Sequence, residues 1–453
     1  MTFVIWELAV GSSASDVDRW ELEVGRWQLT RILLLSTTTG YQLRSFGETA
    51  ARLGIDLTLA TDRCNHLEDP WRDGAIPVRF YDDDASLRAI REAAAERRFS
   101  GVIAVGDRPA VLAARVAADL DLPGNPPAAA EATRNKRLLR QKFAEAGMTV
   151  PWFRELPAGE AVESILGAVR YPCVIKPLGL SGSRGVIRAD NPGQLGYGVQ
   201  RVRALLARPE IRAQRSGLDD RLLVEGFIDG EEYAVEALMT RGELRVLAMF
   251  DKPDLLDGPF FEETIYLTPT VASGDVQRAI AAELHRGASA LGLVHGPIHA
   301  ECRVSRRGVV MLEIAARPIG GLCSKVLRFS AAGESVPLEE VILRHCHGED
   351  ISVYQREQAA SGVMMIPIPK RGILKRTRGE EEARKVAHID DVRITAKPDQ
   401  LLEPLPEGDS YLGFIFARAR SAVEVTAALR EAHRRLTFDI APEIPVLGGT
   451  AAN

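Results

Sequence analysis

The sequence predicts a multidomain α/β and α+β protein with three parts. These are an N-terminal parallel α/β domain, a central domain built on antiparallel sheets and a C-terminal α+β domain. Three observations predict this. The 453 residues, 46% hydrophobic and 26% charged, suit two to three domains with real cores. Strands and helices alternate over the first 120 residues. Between 171 and 317 the strands follow one another with few helices between them.

The N-terminal part begins with RILLLSTTTG (31–40), an apolar strand ending in a Ser-Thr-Thr-Thr-Gly turn, after some thirty residues that read as a loose extension. A helix (41–54), a strand (55–61), a helix (85–98), a strand (101–107) and a helix (108–119) follow. Ligands of such sheets gather at strand ends, so the turn is a candidate contact as well as a helix start. The stretch 121–134, dense in Pro, Gly and Ala, marks a boundary, and domains are expected at 1–125, 126–350 and 351–453. The central part opens with a helix (135–147). Strands are expected at 171–177, 185–190, 221–228, 231–240, 243–251, 298–305 and 308–317. The last part has a strand after 361, a charged stretch (370–385), a strand (411–419) and an amphipathic helix (421–435).

Composition excludes several functions. Lys and Arg number 57 against 62 Asp and Glu, a net charge of −5, without the basic excess of a nucleic-acid coat. No apolar run approaches the ~20 residues of a membrane span, and the N-terminus lacks the basic region of a signal peptide. Five scattered cysteines (Cys64, Cys173, Cys302, Cys323, Cys346) read as reduced thiols, so a cytoplasmic enzyme is expected.

The chemistry concentrates in the middle. In YPCVIKPLGLSGSRGV (171–186) a strand delivers Lys176 to a loop of Gly179, Gly182 and Gly185 interleaved with Ser181, Ser183 and Arg184. Glycines let backbone N–H groups approach an anion, and the lysine adds a point charge. An exposed hairpin is the plain alternative. In LLVEGFIDGEEY, the backbone of Gly226, Phe227 and Ile228 after Glu225 suits an adenine edge and Glu232 suits ribose hydroxyls; solvated hairpin acids are the competing reading. In 295–321, Glu301 and Glu313 stand on neighbouring apolar strands. Buried acids need a partner, either a hard cation such as Mg²⁺ or an internal salt bridge to Arg317 or Arg303. The His345–Cys346–His347 run reads as a polar helix end rather than a metal site.

Taken in order, NK (135–136), VIKP (174–177), SGSRGV (181–186), VEGFIDGEEY (224–233), HAE (299–301) and EIAARPIGG (313–321) resemble the ATP-grasp family. Within it the resemblance is to the carboxylate–amine ligases of the L-amino-acid ligase, or dipeptide synthetase, subgroup, and SGVMMIPIPKRGILK (361–375) looks like that subgroup's C-terminal domain. The resemblance implies that Lys136 and Lys176 hold the ATP phosphates, under a flap of Ser181, Ser183, Arg184 and Gly185. Glu225, Gly226, Phe227 and Ile228 would receive adenine, and Glu232 the ribose. Glu301 and Glu313 would ligate one or two Mg²⁺ ions, Mn²⁺ being an alternative. Arg317 would steady the transferring phosphoryl group, with Lys252, Glu262 and His299 as further substrate candidates. Many members have Asn two residues after the second Glu, where this chain has Ala315. The implied reaction converts a carboxylate to an acyl phosphate that an amine then displaces, a task of positioning and charge neutralisation. The implied partners are small-molecule carboxylates and amines, with no nucleic acid or membrane, and a homodimer is compatible. A nucleotide-binding protein without turnover and a bicarbonate-using carboxylase are the alternatives.

Overall fold

The computed structural model describes residues 30–37, 42–62 and 75–443. Residues 1–29, most of the Ser-Thr-Thr-Thr-Gly turn and Cys64 lie outside them.

The N-terminal sheet has four parallel strands in the order Ile76–Pro77, Asp56–Thr61, Arg31–Ser36, Gly101–Val105. Its second-from-edge strand is apolar on both faces because both are covered: Leu33 and Leu35 enter one core, Ile32 and Leu34 another. The stretch expected as a boundary is partly helical. Pro127 starts the helix Pro127–Arg134, where its missing N–H costs nothing, and Ala129, Ala130 and Ala132 are buried. Asn135 alone separates it from Lys136–Glu145, capping that helix by accepting from the N–H groups of Arg137 and Leu138.

Two antiparallel sheets that frame the site follow, beside two smaller three-stranded ones. The lesser of the framing pair runs Phe153–Pro157, Arg221–Gly226, Cys173–Pro177, Ile187–Ala189, backed by the helix Pro192–Leu206. The expected strand 185–190 is shorter because Gly185 has φ 74° and gives its N–H to the Pro406 carbonyl. The strand expected over 221–228 ends at Gly226.

The larger sheet has eight strands in the order Gly308–Ala315, Gly296–Ser305, Glu231–Thr240, Glu243–Asp251, Ile265–Thr268, Ala360–Ile366, Gly413–Ala419, Ile389–Ile394. It crosses the division expected at 350. Ile265–Thr268, a four-residue strand too short to show a period, pairs antiparallel with Ala360–Ile366 and carries the sheet onward. Helices Gly274–Leu291 and Ala422–Arg435 cover its two halves. Among the described residues no helix is long and apolar enough to cross a membrane.

Candidate active site

A cavity of about 300 Å³ lies between the two antiparallel sheets. Register explains its floor. Glu232 pairs with Arg303, Ala234 with Glu301 and Glu236 with His299, so alternation turns these six side chains to one face. Glu301 also pairs with Glu313, and the register shift there leaves Leu312 as an extra residue. Through this bulge both Leu312 and Glu313 reach the cavity, which strict alternation forbids.

The opposite wall is cationic. Lys136, the first residue of its helix, donates from Nζ to the Leu180 carbonyl at 2.6 Å and stands 3.8 Å from Glu313. Lys176 Nζ lies 2.6 Å from Glu225, which also takes a bidentate pair from Arg140 at 2.7 and 3.1 Å. Glu225 is 1% exposed, so the solvated-acid reading fails. Burial alone would raise its carboxyl, but Arg140 and Lys176 hold it down at about 2. Its side chain thus anchors the phosphate-side lysine and is not free for adenine. The N–H groups of Gly226 and Phe227 donate to the carbonyls of Trp152 and Pro172, and the Ile228 carbonyl accepts from Arg303 at 2.7 Å. Most of the backbone edge expected for adenine is therefore already engaged.

Ser181, Gly182 and Ser183 form the rim, with Gly182 and Ser183 in the left-handed region. A Cβ at Gly185 would stand 2.6 Å from Pro177, so only glycine lets the loop close on its strand. Arg184 and Gly185 do not line the cavity. Arg184 is buried and committed to the Glu407 carbonyl at 2.8 Å and to Asp409 at 3.0 Å.

At the far end Lys252 Nζ sits 2.8, 2.6 and 2.9 Å from Glu232, Glu263 and Glu301. These three acids alone would resemble a cation site, but the ammonium already fills their centre. Burial disfavours the charge on Lys252, yet the three carboxylates raise its pKa well above the ordinary value. Burial pushes Glu263 up to about 7 against the pull of Lys252. Glu232, expected at the ribose, is instead shared between Lys252 and Arg303, the latter at 2.9 Å. Glu262 stays off the cavity and Glu263 lines it.

Neither internal salt bridge weighed for Glu301 and Glu313 forms. Arg303 holds Glu232, and Arg317 holds Asp107 at 2.8 and 3.4 Å. Asp107 opens the helix that follows the strand Gly101–Val105, at the carboxyl end of the parallel sheet. The contacts of Glu301 with Lys252, Tyr266 and His299 all fall on Oε1, and that of Glu313 with Lys136 on Oε2. Each keeps a second oxygen, so the cross-strand pair fits a hard divalent cation. Arg317 and His299 line the same space. Burial opposes charge on His299, but Glu236, in short contact with Nδ1, brings its pKa up to about 9.

Sequence reasoning missed Asp107, Arg140, Glu236, Glu263 and Tyr266. Glu236 was findable, since an acid inside AVEALMT poses the same burial question as Glu301. The C-terminal region adds Met365, from the stretch 361–375, and Asp409, Tyr411 and Phe414, which are remote in sequence from every motif.

Family descriptions match in order: an ATP-grasp N-terminal domain over residues 47–124, an ATP-grasp domain over 169–326 and an L-amino acid ligase C-terminal domain 2 over 364–441. The dapdiamide A synthase of Enterobacter agglomerans is 28% identical over 53% of this chain and 57% of its own length. The alanine–anticapsin ligase of Bacillus subtilis is 26% identical over 42% of this chain and 43% of its own, so the match spans about half of either relative. The crystal structure of an L-amino acid ligase from Bacillus licheniformis superposes with a TM-score of 0.76 at 26% identity, covering 91% of this chain and 99% of that one.

Proposed function

The chain belongs to the ATP-grasp family, and from that premise we propose that it is an ATP-dependent carboxylate–amine ligase working through an acyl phosphate. Its carboxylate is a small one, in our reading an amino acid. One observation carries this: a single cavity sets Lys136 and Lys176 under a glycine loop on one wall, faces them with the Glu301–Glu313 pair on the other, and adds Arg317.

The roles follow from charge. Lys136 and Lys176 neutralise phosphate oxygens, and Arg140 with Glu225 fixes the Lys176 ammonium so that little is reorganised during transfer. Glu301 and Glu313 would hold Mg²⁺, whose chemistry is to screen the repulsion between phosphate and carboxylate. Arg317 presents a planar donor fork to the transferring group and the acyl phosphate. Ser181, Gly182 and Ser183 cover the phosphates and exclude water. Glu232 is held on both oxygens by Lys252 and Arg303, and Val174, Leu312, Phe227 and Ile228 line the nucleobase end. Beyond Glu301 the walls turn apolar at Cys323, Met365, Tyr411 and Phe414, a compartment for the carboxylate's side chain.

Phosphate release from ATP in pools of amino acids tests the reading, with Glu313→Ala as control. Amino-acid-dependent release, down about 100-fold or more in the variant, is expected. ATP binding with no release under any pool would overturn it.

A further inference from the structure

Ile319 follows Arg317 by two residues, on the segment that closes the cavity between Arg317 and Gly321. Both polar groups of its backbone are held by buried side chains from elsewhere in the chain. Its N–H donates to Glu236 Oε2 at 3.0 Å, and its carbonyl accepts from Gln42 Nε2 at 2.5 Å. Glu236 and Gln42 are each 2% exposed. Glu236 comes from the eight-stranded sheet, and Gln42 stands at the start of the N-terminal helix Leu43–Leu53. The other oxygen of Glu236 takes His299 Nδ1, which leaves Nε2 facing Glu301 at 3.7 Å.

One carboxylate therefore ties two parts of the cavity wall together: the imidazole beside Glu301 and the loop bearing Arg317. Burying a carboxylate is costly unless it is paired and hydrogen-bonded, and this one is satisfied on both oxygens within the protein. It does not itself line the cavity, whereas His299 and Ile319, the two groups it holds, do.

We propose that Glu236 and Gln42 are positioning residues, gripping the Ile319 backbone from opposite sides so that Arg317 keeps a fixed distance from Glu301 and Glu313. The proposal rests on the ligase reading. In a ligase that makes an acyl phosphate, a loosened Arg317 has a specific consequence beyond a slower rate. The activated carboxyl is reached by water before the amine, so phosphate is released without amide.

The experiment compares wild type with Glu236→Gln and Gln42→Met, scoring amide formed per phosphate released. Hydrogen exchange of the Arg317, Ile319, Gly320 and Gly321 amides is followed in the unliganded proteins. Glu236→Gln keeps the side-chain shape but cannot accept at both oxygens. It is expected to lower kcat for amide about 100-fold, with KM for ATP within about 3-fold. Amide per phosphate is expected to fall below about half the wild-type value, and Ile319 exchange to quicken about 10-fold or more. Gln42→Met, which removes only the donor to the carbonyl, moves the same readouts less and serves if Glu236→Gln does not fold. Unchanged amide per phosphate together with unchanged Ile319 exchange would overturn the proposal, because a merely structural residue lowers stability without uncoupling the two products. A wild type that releases no phosphate with any amino acid defeats the ligase reading instead, and the exchange data then decide the grip alone.

Discussion

The N-terminal and C-terminal regions hold the cavity in opposite ways. From the N-terminal side the contacts are enclosed: Asp107 pairs with Arg317, their side chains 18% and 12% exposed, and Gln42 reaches Ile319. From the C-terminal side the loop 403–409 holds the glycine loop and the helix behind it with pairs that are on average somewhat more exposed, the Arg201–Glu407 and Arg208–Glu403 side chains being 21–25% exposed. Arg201 meets Glu407 at 2.8 and 2.6 Å, and Arg208 meets Glu403 at 2.6 and 3.0 Å. Arg184 reaches Asp409, whose side chain is 62% exposed. Enclosed pairs fix a group that must not move; partly solvated pairs are individually weak, screened by salt and easily remade. The arginine side of the site is thus the more enclosed, and the glycine-loop side the more exposed to solvent and salt.

Breaking the enclosed side has the largest expected effect. Asp107→Ala leaves the Arg317 guanidinium without its carboxylate, held only by the Pro318 carbonyl, and should lower kcat about 100-fold. It should also cost about 3 kcal/mol in urea unfolding, as removing one member of an enclosed pair does. Acid sharpens the same contrast. The Glu225 carboxyl sits at about 2 against an ordinary 4.5, so the stability it contributes is full above pH 4.5 and fades as pH falls toward 2. That limb amounts to about 3 kcal/mol and should vanish from the stability–pH curve of Glu225→Gln. On the alkaline side His299, at about 9 against an ordinary 6.5, contributes stability that is full below pH 6.5 and is lost as pH rises through 9. The loss of stability that His299 causes over that window should be missing from Glu236→Gln. The glycine-loop side gives the smallest effect. Glu407→Gln should stay within about 1 kcal/mol of wild type and raise KM for ATP about 3-fold, and wild type in 0.5 M NaCl should move toward it. A Glu407→Gln variant as damaged as Asp107→Ala would erase the distinction between the two sides.

Much of the cavity was legible because its chemistry contradicts its local sequence. Glu301 and Glu313 stand out as acids in apolar strands, and Lys176 ends a strand before a glycine loop; the structure brings all three together with Lys136 and Arg317. What was not legible depends on distant pairing. Glu262 and Glu263 are indistinguishable as letters, and only the fold directs the second to Lys252. Arg184 reads as a phosphate ligand until the loop 403–409, some 220 residues away, supplies its partners. Leu312 reaches the cavity through a register shift that no alternation pattern contains. The alternating strands of the parallel sheet were visible for the converse reason, since each carries its own apolar run. The unity of the eight-stranded sheet was not, because four residues at 265–268 make the join.

That short strand decides how the protein can be taken apart. Ile265–Thr268 is buried at every position, shares four paired positions with Ala360–Ile366 and only one, Asp251 with Leu267, with the strand on its other side. A fragment ending near residue 350, where the sequence suggests a clean cut, would strip away its main neighbour. It would leave a row of unpaired backbone groups flanked by apolar side chains, a template for sticking to other copies. Trimming this chain to its catalytic part is therefore a route to aggregates rather than to a minimal enzyme.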